Sequence, residues 1–192
     1  MIEKYKSVPN VNIDLIDIDK NAINILKILI GKLEIPQNIK INFLNEDFLL
    51  FGRGGLFANE DIHYDIVVGN PPFGKFTDND TLLLEYKKGK NNTKTSNLFS
   101  FFLEKATHHA DIVALIIPKS FLSAPEFNDT RDFISQFAIE KITDYGEKGF
   151  KGVKIETISL NINTKKEMVN NRTLVESYIK NEIGFKDQKY IC

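Results

Sequence analysis

Cysteine is nearly absent from this sequence of 192 residues: Cys192, the last residue, is the only one. An internal disulfide is therefore excluded, and a reducing compartment is the natural setting. Histidine is scarce as well. His63, His108 and His109, with that one cysteine, offer no metal-ligand spacing, so a zinc site is not expected. No apolar run approaches the roughly 18 residues needed to span a bilayer, and the N-terminus lacks the apolar core of a signal peptide. A cytoplasmic protein without a membrane partner follows as the expectation. Charge of one sign is missing too: 25 basic against 26 acidic residues leave a net charge of −1, so the overall charge does not favour a polyanion. There is no internal repeat and no low-complexity tract.

What is present has the balance of a globular domain with a real core: 42% hydrophobic, 27% charged and 11% aromatic residues. Short apolar runs alternate with longer amphipathic ones, the pattern of parallel strands joined by helical crossovers. Strands are expected at 11–18, within "IKINFLNEDF", at 64–70 and in "DIVALIIP". The run at 64–70 is continuous in apolar residues, as in a strand covered on both faces. A helix is expected in "KNAINILKILIGKL", with Asp19 as N-cap and Pro36 beyond its end. A second should carry Leu98, Phe102, Leu103 and Ala106 on one face, and a third should span "APEFNDTRDFISQFA". "KITDYGEKGF" and "VKIETISLNI" read as an antiparallel pair, and a weak helix is expected around Leu174 to Ile179. The histidine pair fits the C-terminal end of a helix, where positive charge is favoured.

In an open α/β sheet, ligands lie beyond the carboxyl ends of the strands. Three such ends stand out: Asp17-Ile18-Asp19, Asp47-Phe48 and Asn70-Pro71-Pro72-Phe73. A carboxylate such as Asp17 can accept from both hydroxyls of a ribose, although a loop or capping role would also suit an acid here. Asp47 with Phe48 could accept from an exocyclic amine and pack on a purine. The third end is the most specific. Two prolines fix φ and remove backbone donors, leaving the carbonyls of Asn70 and Pro71 to face a ligand. The Asn side-chain oxygen and a nearby carbonyl match the two hydrogens of a planar –NH₂ group, and Phe73 supplies a face for stacking, worth roughly 1–3 kcal/mol. Lys87, Lys88, Lys90 and Lys94 gather in "EYKKGKNNTKTSN", which reads equally as a solvated loop or as a phosphate-contacting one.

The order and spacing of these strand ends resemble the adenine-N6 DNA methyltransferases of the gamma arrangement, the restriction-modification type whose N-P-P-[FYW] motif binds the target amine. The resemblance extends through "SNLFSFFLEKATHHADIVALIIPKSFL" and "DYGEKGFKGVKIETISLNI", covering about residues 11–163. It implies an α/β, Rossmann-like sheet dependent on S-adenosylmethionine, with Asp17, Ile18, Asp47, Phe48 and Asn70 bordering the cofactor. Asn70, Pro71, Pro72 and Phe73 would hold a flipped adenine, Phe150 its other face, and Lys88, Lys94 and Asn97 would contact the substrate. The route implied is direct in-line methyl transfer from the cofactor to N6 of a base flipped out of duplex DNA, with no general base needed before attack.

The family's first strand, with its Gly-rich turn, does not fit into the ten residues before position 11. The expectation is therefore a catalytic domain over 1–164 lacking that strand, with 165–192 leading toward a target-recognition region: a fragment of a disrupted gene, or one half of a split enzyme that a second polypeptide completes. A cognate restriction endonuclease is the further partner that the resemblance implies. Two alternatives remain open: methylation of protein glutamine or RNA adenine, which present the same planar amine, and a non-catalytic remnant that binds DNA or a partner.

Overall fold

The computed structural model describes residues 5–52, 62–76, 80–89, 91–147, 154–167, 172–178 and 187–191. The chain divides into two compact units, residues 1–58 and 59–192.

The first unit is a strand–helix–strand crossover. Strand β1 (Val11–Ile16) leads into helix α1 (Lys20–Ile30) and returns as β2 (Ile39–Leu44), parallel to β1 with Ile16 beside Leu44. Asp19 caps α1 by accepting from the Asn21 N–H at 2.7 Å, as Ser, Asp and Asn do at helix starts. The helix closes at Gly31, earlier than the apolar pattern through Leu33 suggested.

The second unit is a six-stranded sheet in the order β3-β4-β6-β5-β7-β8. Its strands are β3 (Tyr64–Gly69), β4 (Ala110–Pro118), β5 (Phe137–Gly146), β6 (Thr157–Glu167), β7 (Thr173–Ser177) and β8 (Asp187–Ile191). β3 runs parallel to β4, β6 runs antiparallel to both β4 and β5, and β7 runs parallel to β5. Strands β3, β4, β5 and β7 consequently point the same way, and their C-terminal ends share one edge of the sheet. Helices α2 (Asp80–Tyr86), α3 (Leu98–His109) and α4 (Asn128–Ile134) complete the unit. The core is built from Val113, Leu115 and Ile117 of β4, Ile158, Leu160 and Ile162 of β6, and a cluster of Phe99, Phe121 and Phe127 with ring centroids 5.0–6.2 Å apart.

Four expectations change. β3 is paired on one side only among the described residues, and Ile66 and Val68 are 44% and 52% exposed, so this strand is not covered on both faces. Helix α3 is buried nearly all round: Phe99, Phe101, Leu103 and Ala106 are buried, whereas Leu98 and Phe102 are only half-buried. The third helix is short, because 125–127 forms a 3-10 turn before α4 and Phe137 already belongs to β5. Leu174 lies in strand β7 rather than a helix; a parallel ladder to β5 outweighs its local preference.

Candidate active site

The motif Asn70-Pro71-Pro72-Phe73 follows the last residue of β3, at the C-terminal edge of the larger sheet. Asn70 and Pro72 are exposed, Pro71 is buried and Phe73 is half-buried. No hydrogen bond among the described residues takes up the Asn70 side chain or the carbonyls of Asn70 and Pro71. Pro71 and Pro72 themselves bring no backbone N–H to this strand end. Gly74 follows with φ of 146° and open space where a Cβ would stand, a backbone conformation that favours glycine.

The loop is tied down from behind. The Leu98 N–H donates to the Gly74 carbonyl at 3.0 Å, the Phe76 N–H donates to the Ser96 carbonyl at 2.8 Å, and Lys75 bridges Asn97 antiparallel. Residues 91–97 are held in turn by carboxylates. Glu104 of α3, 3% exposed, accepts from the Asn91 N–H at 3.0 Å, Asn91 Nδ2 at 2.8 Å and Asn92 Nδ2 at 2.6 Å. Buried Asn92 also accepts from the Thr130 hydroxyl at 2.6 Å, which joins α3 to α4. The signal for Glu104 was an acid amid the apolar run "LFSFFLEKA", a buried charge that must be paired.

The lysine-bearing loop is less electropositive than its sequence suggests. Lys88 pairs with Glu85 at 2.5 Å, Lys94 with Asp129 at 2.7 Å, and Lys87 Nζ donates to the Thr93 carbonyl. The Lys94 ammonium, and after it the Thr93 hydroxyl, hold the Asp129 carboxyl below the usual range. Asn97 directs its side-chain amide to Glu126 at 3.0 Å. Lys90 and Phe150 lie outside the described residues.

Farther along the same edge, Lys119 follows β4 and pairs with Asp144 of β5 at 2.9 Å and with Glu156 at 3.4 Å. The Asp144 carboxylate, as the leading cause, raises the Lys119 pKa. This pair fastens the ends of two strands and was not foreseen, since 25 positions separate its members. The histidines sit at the opposite, N-terminal edge. His63 precedes β3 and bonds Asp111, His109 ends α3 with Nδ1 2.9 Å from the Ile62 carbonyl, and His108 packs on Phe133. No group of three or more metal-binding side chains occurs among the described residues, and no described helix is long and apolar enough to cross a membrane.

In the smaller unit, Asp17 and Asp47 stand beyond the C-terminal ends of the parallel β1 and β2. Each turns one carboxylate oxygen back on the chain: Asp17 Oδ1 accepts from the Asp19 N–H at 2.8 Å and Asp47 Oδ1 from the Leu49 N–H at 2.9 Å. Asp17 is exposed, with its second oxygen unused among the described residues, and Ile18 beside it is 71% exposed. Phe48 is half-buried. An acceptor next to an exposed apolar side chain, as at Asp17 and Ile18, suits the sugar and base of a nucleoside.

The sequence model of the Eco57I restriction-modification methylase family matches residues 10–150. No curated protein matches the chain. Among solved structures, the modification subunit of a putative type I restriction enzyme from Vibrio vulnificus YJ016 superposes with a TM-score of 0.67 at 16% identity, over 95% of this chain and 38% of its own. The type IIG restriction endonuclease BpuSI gives 0.65 at 19% identity, over 87% and 21%. A putative class I S-adenosylmethionine-dependent methyltransferase from Listeria monocytogenes gives 0.52 at 18%, over 91% and 61%. These likenesses show the fold, a mixed α/β methyltransferase architecture, and the chain spans less than two thirds of each of these three proteins.

Proposed function

The chain belongs to the Eco57I restriction-modification methylase family, and from that premise we propose that it methylates the N6 amine of adenine in duplex DNA with S-adenosylmethionine as donor. The observation that carries this reading is the Asn70–Phe73 strand end: two acceptors without a partner among the described residues, one half-buried aromatic ring beside them, and a strand that brings them to the C-terminal edge of the sheet.

Asn70 Oδ1 and the Pro71 carbonyl accept from the two hydrogens of the adenine amine. That geometry draws the nitrogen away from planarity and turns its lone pair out of the ring system. Phe73 holds the flipped ring by stacking. Asp17 takes the ribose hydroxyls of the cofactor and Ile18 packs on its adenine, with Asp47 and Phe48 on the neighbouring strand end. S-Adenosylmethionine, when bound, supplies an electrophilic methyl group on its sulfonium sulfur. The amine needs no prior deprotonation, which agrees with the histidines lying at the other edge of the sheet. Positioning is then the main source of rate. Duplex DNA is the substrate in this reading, and the endonuclease named among the similar structures supports a restriction partner. Among the described residues β3 is paired on one side only, with Ile66 and Val68 exposed, which supports a second polypeptide that adds a strand there.

Replacing Asn70→Ala tests the reading. Transfer of labelled methyl to duplex DNA should fall by about a hundredfold or more, while cofactor binding measured by calorimetry persists. Undiminished transfer removes Asn70 from the mechanism. Label appearing in protein glutamine or RNA, and not in DNA, gives the chain a different substrate with the same amine chemistry.

A further inference from the structure

Behind the Asn70–Phe73 loop sits a carboxylate that the methyl-transfer chemistry does not use. Glu126 lies in the 3-10 turn Pro125–Phe127, far in sequence from the motif. One of its oxygens, Oε2, receives three groups: the Thr95 hydroxyl at 2.9 Å, the Asn97 side-chain amide at 3.0 Å and the Lys75 ammonium at 3.7 Å. Thr95 is 2% exposed, and its hydroxyl also accepts the Asn97 N–H at 3.0 Å. Residues 95–97 are therefore fixed by a charged acceptor, and such hydrogen bonds are the strong ones. Residues 96–98, continuous with them, carry the partners of 74–76, through the Ser96 carbonyl, the Leu98 N–H and the Lys75–Asn97 bridge. Gly74, at a positive φ, is the joint between this tied segment and Phe73.

We propose that Glu126 is a positioning residue: by gathering Thr95, Asn97 and Lys75 on one carboxylate oxygen, it sets the direction in which Phe73 and Asn70 leave the sheet edge and face the substrate base. The inference rests on the reading that this loop holds the base. It gives Lys75 and Asn97 a task as anchors of the base-binding loop.

The test uses the full chain as wild type, Glu126→Gln, Glu126→Ala and Thr95→Val. The Gln side-chain oxygen still accepts from Thr95 and Asn97 and forgoes only the charge toward Lys75; Ala forgoes all three, and Val removes the Thr95 donor without changing its shape. Hydrogen exchange at the Phe76 and Leu98 amides should quicken in the Ala and Val variants and stay near wild type in Gln, with the β4 and β6 amides unchanged as a control for folding. In DNA methyl transfer, kcat should fall by about tenfold or more in Glu126→Ala, with the KM for S-adenosylmethionine unchanged and the rate recovered in Glu126→Gln. Unaltered exchange at Phe76 and Leu98 overturns the inference, as does quickened exchange with kcat intact. If Glu126→Ala loosens β4 and β6 as well, the Thr95→Val and Glu126→Gln results decide alone. If the wild type transfers no methyl group even when the polypeptide that completes β3 is supplied, the methyltransferase reading fails, and the exchange rates still decide whether Glu126 orders the loop.

Discussion

Asp111, Asp129 and Glu140 are each held below the ordinary carboxyl range chiefly by a hydrogen bond from a neighbour, which makes their effect on stability readable in sign. Asp129 is held below the ordinary aspartate value of 3.8 by hydrogen bonds from Lys94 and then Thr93. Glu140 is held below 4.5 by Lys166 and then Asn163. A carboxyl whose folded pKa is depressed contributes stability above its unfolded pKa, and that contribution is lost as pH falls through the folded value. Both pairs are solvent-accessible, so each is worth little. Lys94→Ala should therefore lower the thermal midpoint slightly at about pH 7, and the gap from wild type should narrow as the pH falls through the depressed Asp129 value and the carboxyl takes up its proton. A gap that persists unchanged in acid would mean that Lys94 stabilises by packing its stem rather than by its charge.

At the scale of elements, α3 decides how the larger unit holds together. It is buried on nearly every side, with Phe99 and Leu103 in the core and Glu104 pinning the 91–92 turn. Leu103→Ala removes a fully buried side chain and should cost about 2–5 kcal/mol in unfolding free energy measured with denaturant; a loss well below that range would mean that the site collapses around the gap. This helix also shows where the sequence was legible. Its presence, the strands β4 and β6 and the strand end that bears Asn70-Pro71-Pro72-Phe73 could be read from it, because hydrophobic periodicity and proline geometry are local. The all-round burial of α3 could not, since it depends on neighbours from α4 and β4 that a helical wheel does not contain. β7 was misread for the same reason: the five residues Thr173–Ser177 are strand because β5 offers them a ladder. Glu126 and the Lys119–Asp144 pair escaped notice because their partners lie far away in the chain.

Across the whole molecule, the two units carry different parts of the proposed chemistry: Asp17, Ile18, Asp47 and Phe48 belong to residues 1–58, and Asn70 to Phe73 belong to 59–192. They are built with unequal redundancy. β4, β6 and β5 each have a ladder on both sides, whereas β1 and β2 share a single parallel ladder with no further strand among the described residues. A two-stranded sheet is marginal by itself, and local opening follows the least supported element. Amide hydrogens of Val11–Ile16 and Ile39–Leu44 should thus exchange at least about tenfold faster than those of Val113–Ile117. A ligand that binds the folded state alone stabilises what it touches. Adding S-adenosylmethionine should accordingly slow exchange first around β1, β2 and the turns bearing Asp17 and Asp47, with β4 little changed. Equal protection of both sheets before addition would show that the smaller unit draws support from beyond its own ladder. Protection confined to the larger unit after addition would remove Asp17 and Asp47 from the cofactor site while leaving the base-binding role of Asn70 standing.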